Sequence, residues 1–334
     1  MRKMKEALFY KKKNTKVQCF LCPRNCVITN NATGFCRVRK NIEGKLYSLS
    51  YGRVISAAID PIEKKPFYHF APASIAFSIA GAGCNLSCDF CCNFEISQEW
   101  SYLGEQITAE EIVSKAKRLA HGISYTYTEP SIWIEFILDI AKLAKKEKLY
   151  NTMVTNGYTS VEAVKELSKY MDAVVIDLKN SGNKEAYLKL SHAPYSEKIF
   201  DAILEYAKNK VWVEITNLIV TQYGECEKDV RNFCKWTYEN LGEFTPVHFL
   251  RYFPSYKLNL PPTPIKFLEK CITIAKEEGL KYVYLGNVLG SYENTYCHEC
   301  GKLLIERKGF YVTKINLKNS LCPYCGAKIP IEFL

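Results

Sequence analysis

The sequence predicts a parallel α/β barrel carrying a small cysteine-pinned unit at each end of the chain. Three observations lead there. Short apolar runs alternate with longer amphipathic ones from about residue 72 to 290, as repeated βα units require. Eleven of the 15 cysteines fall into three tight groups. The polar residues of the alternating region gather where its strands end, the rim on which βα barrels build their sites.

The predicted strands are SIAFSIA (74–80), GISYTY (122–127), LYNTMV (149–154), AVVID (173–177), VWVEIT (211–216), VHFLRY (247–252) and KYVYLG (281–286). Helical runs separate most of them. In 108–120, Ile112, Val113, Ala116, Leu119 and Ala120 share one face, and Thr108 with Glu111 forms a capping box. Thr159 with Glu162 is expected to repeat that device, and Thr263 before Pro264 reads as a cap and first helical residue. Seven such strands suit an open doubly wound sheet or a barrel. The barrel is favoured because Cys84, Thr128, Glu129, Asn156, Gly157, Asp177, Lys179, Asn217, Arg251 and Asn287 all stand at or just past strand ends. The expected division is 1–71 for an N-terminal cysteine-rich module and connector, 72–290 for the barrel and 291–334 for a C-terminal unit.

Composition bounds the class. With 334 residues, 48% hydrophobic and 24% charged, the chain can bury a large core and is not disordered or fibrous. Its longest uncharged stretch, 66–88, is broken by Pro72, Gly81, Gly83 and Asn85, so no membrane span is expected. The basic start has no apolar segment behind it and does not read as a secretory signal. Cysteines in a reducing, cytoplasmic setting then point to metal or catalysis rather than disulfides. The net charge of +10 is concentrated, since residues 1–16 hold seven positives against one negative. Such a terminus reads as a solvated, partly disordered tail and argues only weakly for nucleic acid.

The central motif is GAGCNLSCDFCC, in which Cys84, Cys88 and Cys91 follow the first barrel strand directly. Three thiolates on one loop hold three irons of a 4Fe-4S cluster and leave the fourth open to a ligand, whereas electron-transfer sites supply a fourth cysteine. Cys92, next in the chain, should point away and serve as a core thiol or one beside the ligands, with ligation by Cys92 itself the remaining alternative. Cys297, Cys300, Cys322 and Cys325 form two knuckles 21 residues apart and predict a structural zinc ribbon. His298 between them is expected to be exposed. Cys19, Cys22, Cys26 and Cys36 make a closed four-thiolate site whose spacing leaves zinc and an auxiliary Fe-S cluster both open, with a slight lean to zinc. Cys226, Cys234 and Cys271 lack partners at metal spacing and read as buried core thiols.

With aromatic Phe90 before the third cysteine, the loop resembles the signature of the radical S-adenosylmethionine (SAM) superfamily. The resemblance extends through CFLCPRNC, YGRVISAAIDPIEKKPFYHF, SYTYTEPS, VTNGY, VIDLK, HFLRYFPSYK, YVYLGNV and the ribbon knuckles. Together these are similar to the radical enzymes of the AmmeMemoRadiSam system, relatives of the pyruvate formate-lyase activating enzyme. Cys92 stands where that family leads one to expect Gln. The resemblance implies a partial (β/α)6-type barrel, and an oxidoreductase that reductively cleaves SAM to a 5′-deoxyadenosyl radical and takes hydrogen from a substrate. It implies cosubstrate contacts at Phe90, Thr128, Glu129, Asn156 and Gly157, with Asp177 and Lys179 at the substrate. A flavodoxin or ferredoxin as electron donor and a macromolecular substrate, a peptide before RNA, follow from the same likeness. A non-catalytic metal-dependent nucleic-acid binder is the rival reading.

Overall fold

Local chemistry sets the first elements of the computed structural model, which describes residues 4–334. The central sheet has eight strands: β1 (Ser56–Pro61), β2 (Ile75–Ala80), β3 (Gly122–Tyr125), β4 (Tyr150–Thr155), β5 (Ala173–Lys179), β6 (Trp212–Ile219), β7 (Val247–Arg251) and β8 (Val283–Gly286). They lie side by side in chain order. β2 to β8 are parallel, and β1 joins antiparallel to β2. Among the described residues β1 and β8 do not pair with each other, so the barrel is open.

Helices α1 (Ala109–Leu119), α2 (Ile134–Lys146), α3 (Val161–Ser168), α4 (Lys184–Leu190) with α5 (Lys198–Lys208), α6 (Glu227–Leu241) and α7 (Ile265–Glu277) fill the six crossovers. This is the partial (β/α)6 arrangement, closed off by a seventh parallel strand. All seven expected strands are present. β1 lies in what the sequence reads as connector, because its residues alternate in exposure and only Asp60 is buried.

Capping follows the expectation once and departs from it twice. Thr108 and Glu111 form the capping box of α1. At α3 the cap is Ser160, whose hydroxyl accepts from the Ala163 amide, while the hydroxyl of Thr159 is buried without a partner among the described residues. Thr263 does not cap α7. Its hydroxyl accepts from the Tyr252 amide and donates to the Ile219 carbonyl, tying the ends of β6 and β7 together.

Residues alternate faces along a strand. On β5, Val174, Ile176 and Leu178 pack into the main core, while Ala173 and Val175 share a second cluster with Phe67, Phe70 and Tyr150. Asp177 and Lys179 continue the second parity at the opposite, C-terminal end of the strand. The sequence thus plugs one end of the barrel with aromatics and leaves polar groups at the other.

The plugged end is organised by one carboxylate. Glu214 on β6 is fully buried and accepts from the amides of Tyr68, His69 and Phe70, the Trp212 indole and the His248 ring. His69 bridges to the Tyr284 hydroxyl (2.6 Å) and the Pro330 carbonyl (2.7 Å), and Arg307 reaches the Tyr68 carbonyl. The PFYHF segment is therefore a plug that also seats the C-terminal unit. Burial pushes His69 down from 6.5 to about 4. With its folded pKa below its unfolded one, the neutral ring contributes stability above pH 6.5 that is lost as pH falls toward about 4, a loss of about 3 kcal/mol. Thermal unfolding should therefore show a fall in midpoint between about pH 7 and about pH 5, with a shallower slope in His69→Gln. Equal slopes in the two proteins would remove His69 as the cause.

The N-terminal module is a small β unit. Tyr10–Lys13 pairs with Lys16–Cys19 in a hairpin, and Arg39–Ile42 pairs with Lys45–Ser48. The tail expected to be partly disordered instead supplies strands at Lys5–Glu6 and Tyr10–Lys13, while residues 1–3 lie outside the described residues. The C-terminal hairpin, Leu303–Lys308 with Tyr311–Ile315, completes the molecule. No helix among the described residues is long and apolar enough to cross a membrane.

Candidate active site

The cysteine loop leaves β2 through two glycines that the packing demands. A Cβ on Gly81 would stand 2.7 Å from the Trp133 ring, and Gly83, at φ +94°, lies where a Cβ would meet the Cys36 carbonyl at 2.8 Å. The loop then places Cys84, Cys88 and Cys91 on the wall of a cavity of about 570 Å³ at the C-terminal ends of the strands. Each sulfur has a neighbour. Cys84 Sγ receives the Leu86 amide at 3.3 Å, Cys88 Sγ meets Ser191 Oγ at 3.3 Å, and Cys91 Sγ meets Ser97 Oγ at 3.2 Å. Burial raises the Cys84 thiol well above its usual range and Cys88 to about 11. Metal must therefore displace protons when it binds.

Residues that the motif alone does not reveal brace this loop. Asn93 donates to the Tyr127 carbonyl at 2.7 Å and Gln98 to the Leu86 carbonyl at 3.1 Å. The FPSYK segment clamps it from β7, with the amides of Lys257 and Leu258 on the Asp89 carbonyl and Tyr256 stacked on Phe94 at 4.7 Å. Phe90 is buried, lines the cavity and packs edge-on against Tyr252. Cys92 is neither core nor shielded. It is exposed toward the same cavity, because the chain turns into a helical turn at Phe94–Ser97 just after it.

Of the strand-end residues, Cys84, Thr128, Glu129, Asn156, Asp177 and Lys179 line the cavity, whereas Gly157, Asn217, Arg251 and Asn287 do not. Glu129 is 1% exposed and carries three bonds, from Thr155 Oγ1 (2.7 Å), the Asn156 amide (2.9 Å) and the Ser131 amide (2.9 Å). Burial raises its pKa although these donors oppose the shift. Its main visible task is to lock the end of β3 to that of β4. Thr128 donates to the Gly81 carbonyl at 2.6 Å, fixing the root of the cluster loop. Asn156 reaches Asn85 Oδ1 at 2.9 Å and Cys84 Sγ at 3.7 Å. Gly157 sits one step farther, in a left-handed turn at φ +70°, and does not line the cavity.

Asp177 and Lys179 form an ion pair at 2.9 Å with both side chains at the cavity, and Asp177 also accepts from Thr216. Burial disfavours the Lys179 ammonium, but Asp177 and Cys88 outweigh it and raise its pKa. A second cation group was not legible in sequence. Lys64 and Lys65 line the opposite wall, each 2.8 Å from Asp60, which also accepts from Tyr127. Burial lowers Lys65 to about 8 against the pull of Asp60. Phe310, from the tip of the C-terminal hairpin, completes the lining.

The two outer cysteine groups differ in geometry. In the ribbon all four sulfurs lie within 4.8 Å of one another, with Cys297–Cys325 at 3.6 Å and Cys300–Cys322 at 3.7 Å. Tetrahedral zinc with bonds of about 2.3 Å places sulfurs about 3.8 Å apart, so the ribbon fits a single ion. His298 is not exposed as expected. Its ring meets the Tyr282 hydroxyl at 2.8 Å and packs on Phe244, so it anchors the knuckle to the barrel. Cys19, Cys22, Cys26 and Cys36 share one enclosed cavity, yet no three of their sulfurs converge as the ribbon sulfurs do. Of the unpaired thiols, Cys234 and Cys271 are buried and Cys226 is half-buried. Elemental analysis of air-exposed protein should find zinc that disappears from the Cys297→Ser, Cys322→Ser double variant. A folded, zinc-free wild type would refute the ribbon site.

The family described as the Radical SAM superfamily matches residues 78–237, the stretch holding the cluster loop and the ends of β2 to β6. The chain is 46% identical over 338 residues to the uncharacterized protein MJ0808 of Methanocaldococcus jannaschii, covering 98% of this chain and 99% of that one. It is 27% identical over 194 residues to the pyruvate formate-lyase-activating enzyme of Clostridium pasteurianum, covering 53% of this chain and 77% of the relative. Among solved structures, a radical SAM methyltransferase from Sphaerobacter thermophilus aligns with a TM-score of 0.48 at 15% identity, over 69% of this chain and 72% of the other. By the family match and these sequence relatives, the chain belongs to the radical SAM superfamily and is related to the pyruvate formate-lyase activating enzymes.

Proposed function

We propose that the protein holds a 4Fe-4S cluster on Cys84, Cys88 and Cys91, cleaves SAM there and abstracts hydrogen from a macromolecular substrate, a peptide segment in the manner of an activating enzyme. The observation that carries this is the set of three cysteines at the motif spacing on the wall of a cavity that also holds Cys92 and presents paired charges. When bound, the cluster supplies one electron to the sulfonium, giving methionine and a 5′-deoxyadenosyl radical. The chain's part is placement and exclusion of water. The Asn156 amide lies beside Cys84, Phe90 covers the floor, and the bonds of Glu129 hold two strand ends in register.

The peptide reading rests on the lining. Lys64 and Lys65 on one wall and the Asp177–Lys179 pair on the other offer both signs of charge to backbone and side-chain groups, and the mouth is bordered by the exposed aromatic Phe310. Anaerobic incubation of reconstituted protein with a reductant and SAM should yield 5′-deoxyadenosine and methionine in equal amounts. Absence of both from protein carrying a full cluster would defeat the proposal, and with it any hydrogen-abstraction chemistry on RNA.

A further inference from the structure

We propose that Cys19, Cys22, Cys26 and Cys36 hold a second, fully ligated 4Fe-4S cluster that passes single electrons to the barrel site. It rests on the reading above only for the identity of the acceptor.

Size is the first argument. A four-thiolate zinc ion would draw its sulfurs to the 3.6 and 3.7 Å separations of the ribbon, whereas ligands of a cubane stand roughly 6 to 7 Å apart. The N-terminal four line one enclosed cavity walled by Leu21, Ile28 and Ile132, but no three of their sulfurs lie mutually within 4.8 Å. They surround a space without converging on a point.

The second argument is a donor with nothing to donate to. Arg39 is 1% exposed and lines this cavity. One guanidinium nitrogen is paired with Glu135 at 2.8 Å and another with the Leu8 carbonyl, but its Nε–H is buried without a partner among the described residues. An orphaned N–H in a buried cation is costly, and the sulfides of a cluster are acceptors that a lone zinc ion does not provide. The same cation offsets the negative charge of a four-thiolate centre.

Position supplies the role. Asn85 follows Cys84 directly, lines the N-terminal cavity, and accepts from Arg24 through its carbonyl at 2.6 Å. The carbonyl of Cys36 lies against Gly83. One layer of backbone thus separates the two cysteine sets. With all four irons ligated, the outer centre has no position for substrate and is suited to electron transfer. Its far side is a basic hairpin with Lys11, Lys12, Lys13 and Lys16 exposed, beside exposed Val27 and Phe35. That surface fits an acidic one-electron carrier of the flavodoxin or ferredoxin class. The carrier is oxidised by one electron, the outer cluster is reduced and then reoxidised, and the barrel site gains that electron.

The test begins with the full chain bearing Cys84→Ala, Cys88→Ala and Cys91→Ala, reconstituted anaerobically with ferrous iron and sulfide. The expected product binds about four irons and four sulfides per chain. It also keeps the ribbon's zinc, and after dithionite reduction it shows a paramagnetic signal that SAM does not alter. A second zinc in place of that iron overturns the proposal. In the otherwise native chain, Cys22→Ala with Cys26→Ala should remove half the iron while ribbon zinc reports an intact fold. Reduction of the barrel cluster by reduced flavodoxin should then slow at least tenfold while dithionite still reduces it. Unchanged flavodoxin-driven reduction would overturn the relay. Failure of the wild type to cleave SAM leaves the iron count untouched and tests the other reading alone.

Discussion

Alanine at Cys84, Cys88 and Cys91 together should bring SAM cleavage down to the uncatalysed background. All three side chains line one cavity and each is fixed by its own neighbour, and Cys92, the remaining thiol there, cannot replace three ligands. The redox chemistry belongs to the cofactor rather than to side chains. Its loss therefore removes the whole acceleration, on the order of a millionfold or more. Deoxyadenosine formation measures the effect, and the spectrum of the reduced protein identifies its cause. A signal that still responds to SAM in this variant would mean that the open iron lies elsewhere.

The second large effect is expected at Asp177 and Lys179. Lys179 is buried against Asp177, and both stand on the cavity-facing parity of β5 rather than on the loop that carries the cysteines. Asp177→Asn leaves a buried ammonium without its counter-charge, and Lys179→Ala leaves the carboxylate with only Thr216. On the proposed function, either change would misplace a substrate segment without altering Cys84, Cys88 or Cys91. Substrate-coupled turnover should fall by about a hundredfold or more, since hydrogen transfer requires near-contact geometry. Cluster absorption and the slow uncoupled cleavage of SAM should remain. Loss of the cluster from a folded variant would place the pair in the metal shell, and unchanged coupled turnover would reduce it to a strand-end ion pair.

The strands were legible because each is a run of apolar residues bounded by turns, buried on both faces as a parallel sheet requires. β1 was not, since an antiparallel edge strand with one face in solvent reads as SAAIDP, hardly different from a connector. The caps show the same limit. Thr159 and Ser160 are chemically equal candidates, and only the path of the chain decides which hydroxyl meets the Ala163 amide. Among site residues, the cysteines carried their own spacing signal, whereas Asp177 and Lys179 showed as strand-end charges whose place at the substrate the resemblance implied. Lys64, Lys65 and Tyr127 carried none, because they meet through Asp60 on the strand that was missed. Glu129 was legible as a strand-end carboxylate, but its saturation by Ser131, Thr155 and Asn156 depends on how two strands lie side by side.

The buried carboxylate at the closed end has a bearing on biosynthesis. The plug held by Glu214 is completed by Pro330, Glu332 and Arg307, which leave the ribosome after every strand of the barrel. Until they arrive, His69 Nδ1 and the Tyr68 carbonyl lack these partners, and the base of the barrel has no seal. Contacts that span more than two hundred residues form late and cost chain entropy before they return any stability. The cluster loop, near residue 84, emerges far earlier. A nascent chain can therefore present these three cysteines while the far end of the barrel is still open, and the arrival of residues 307–332 is the event that closes it.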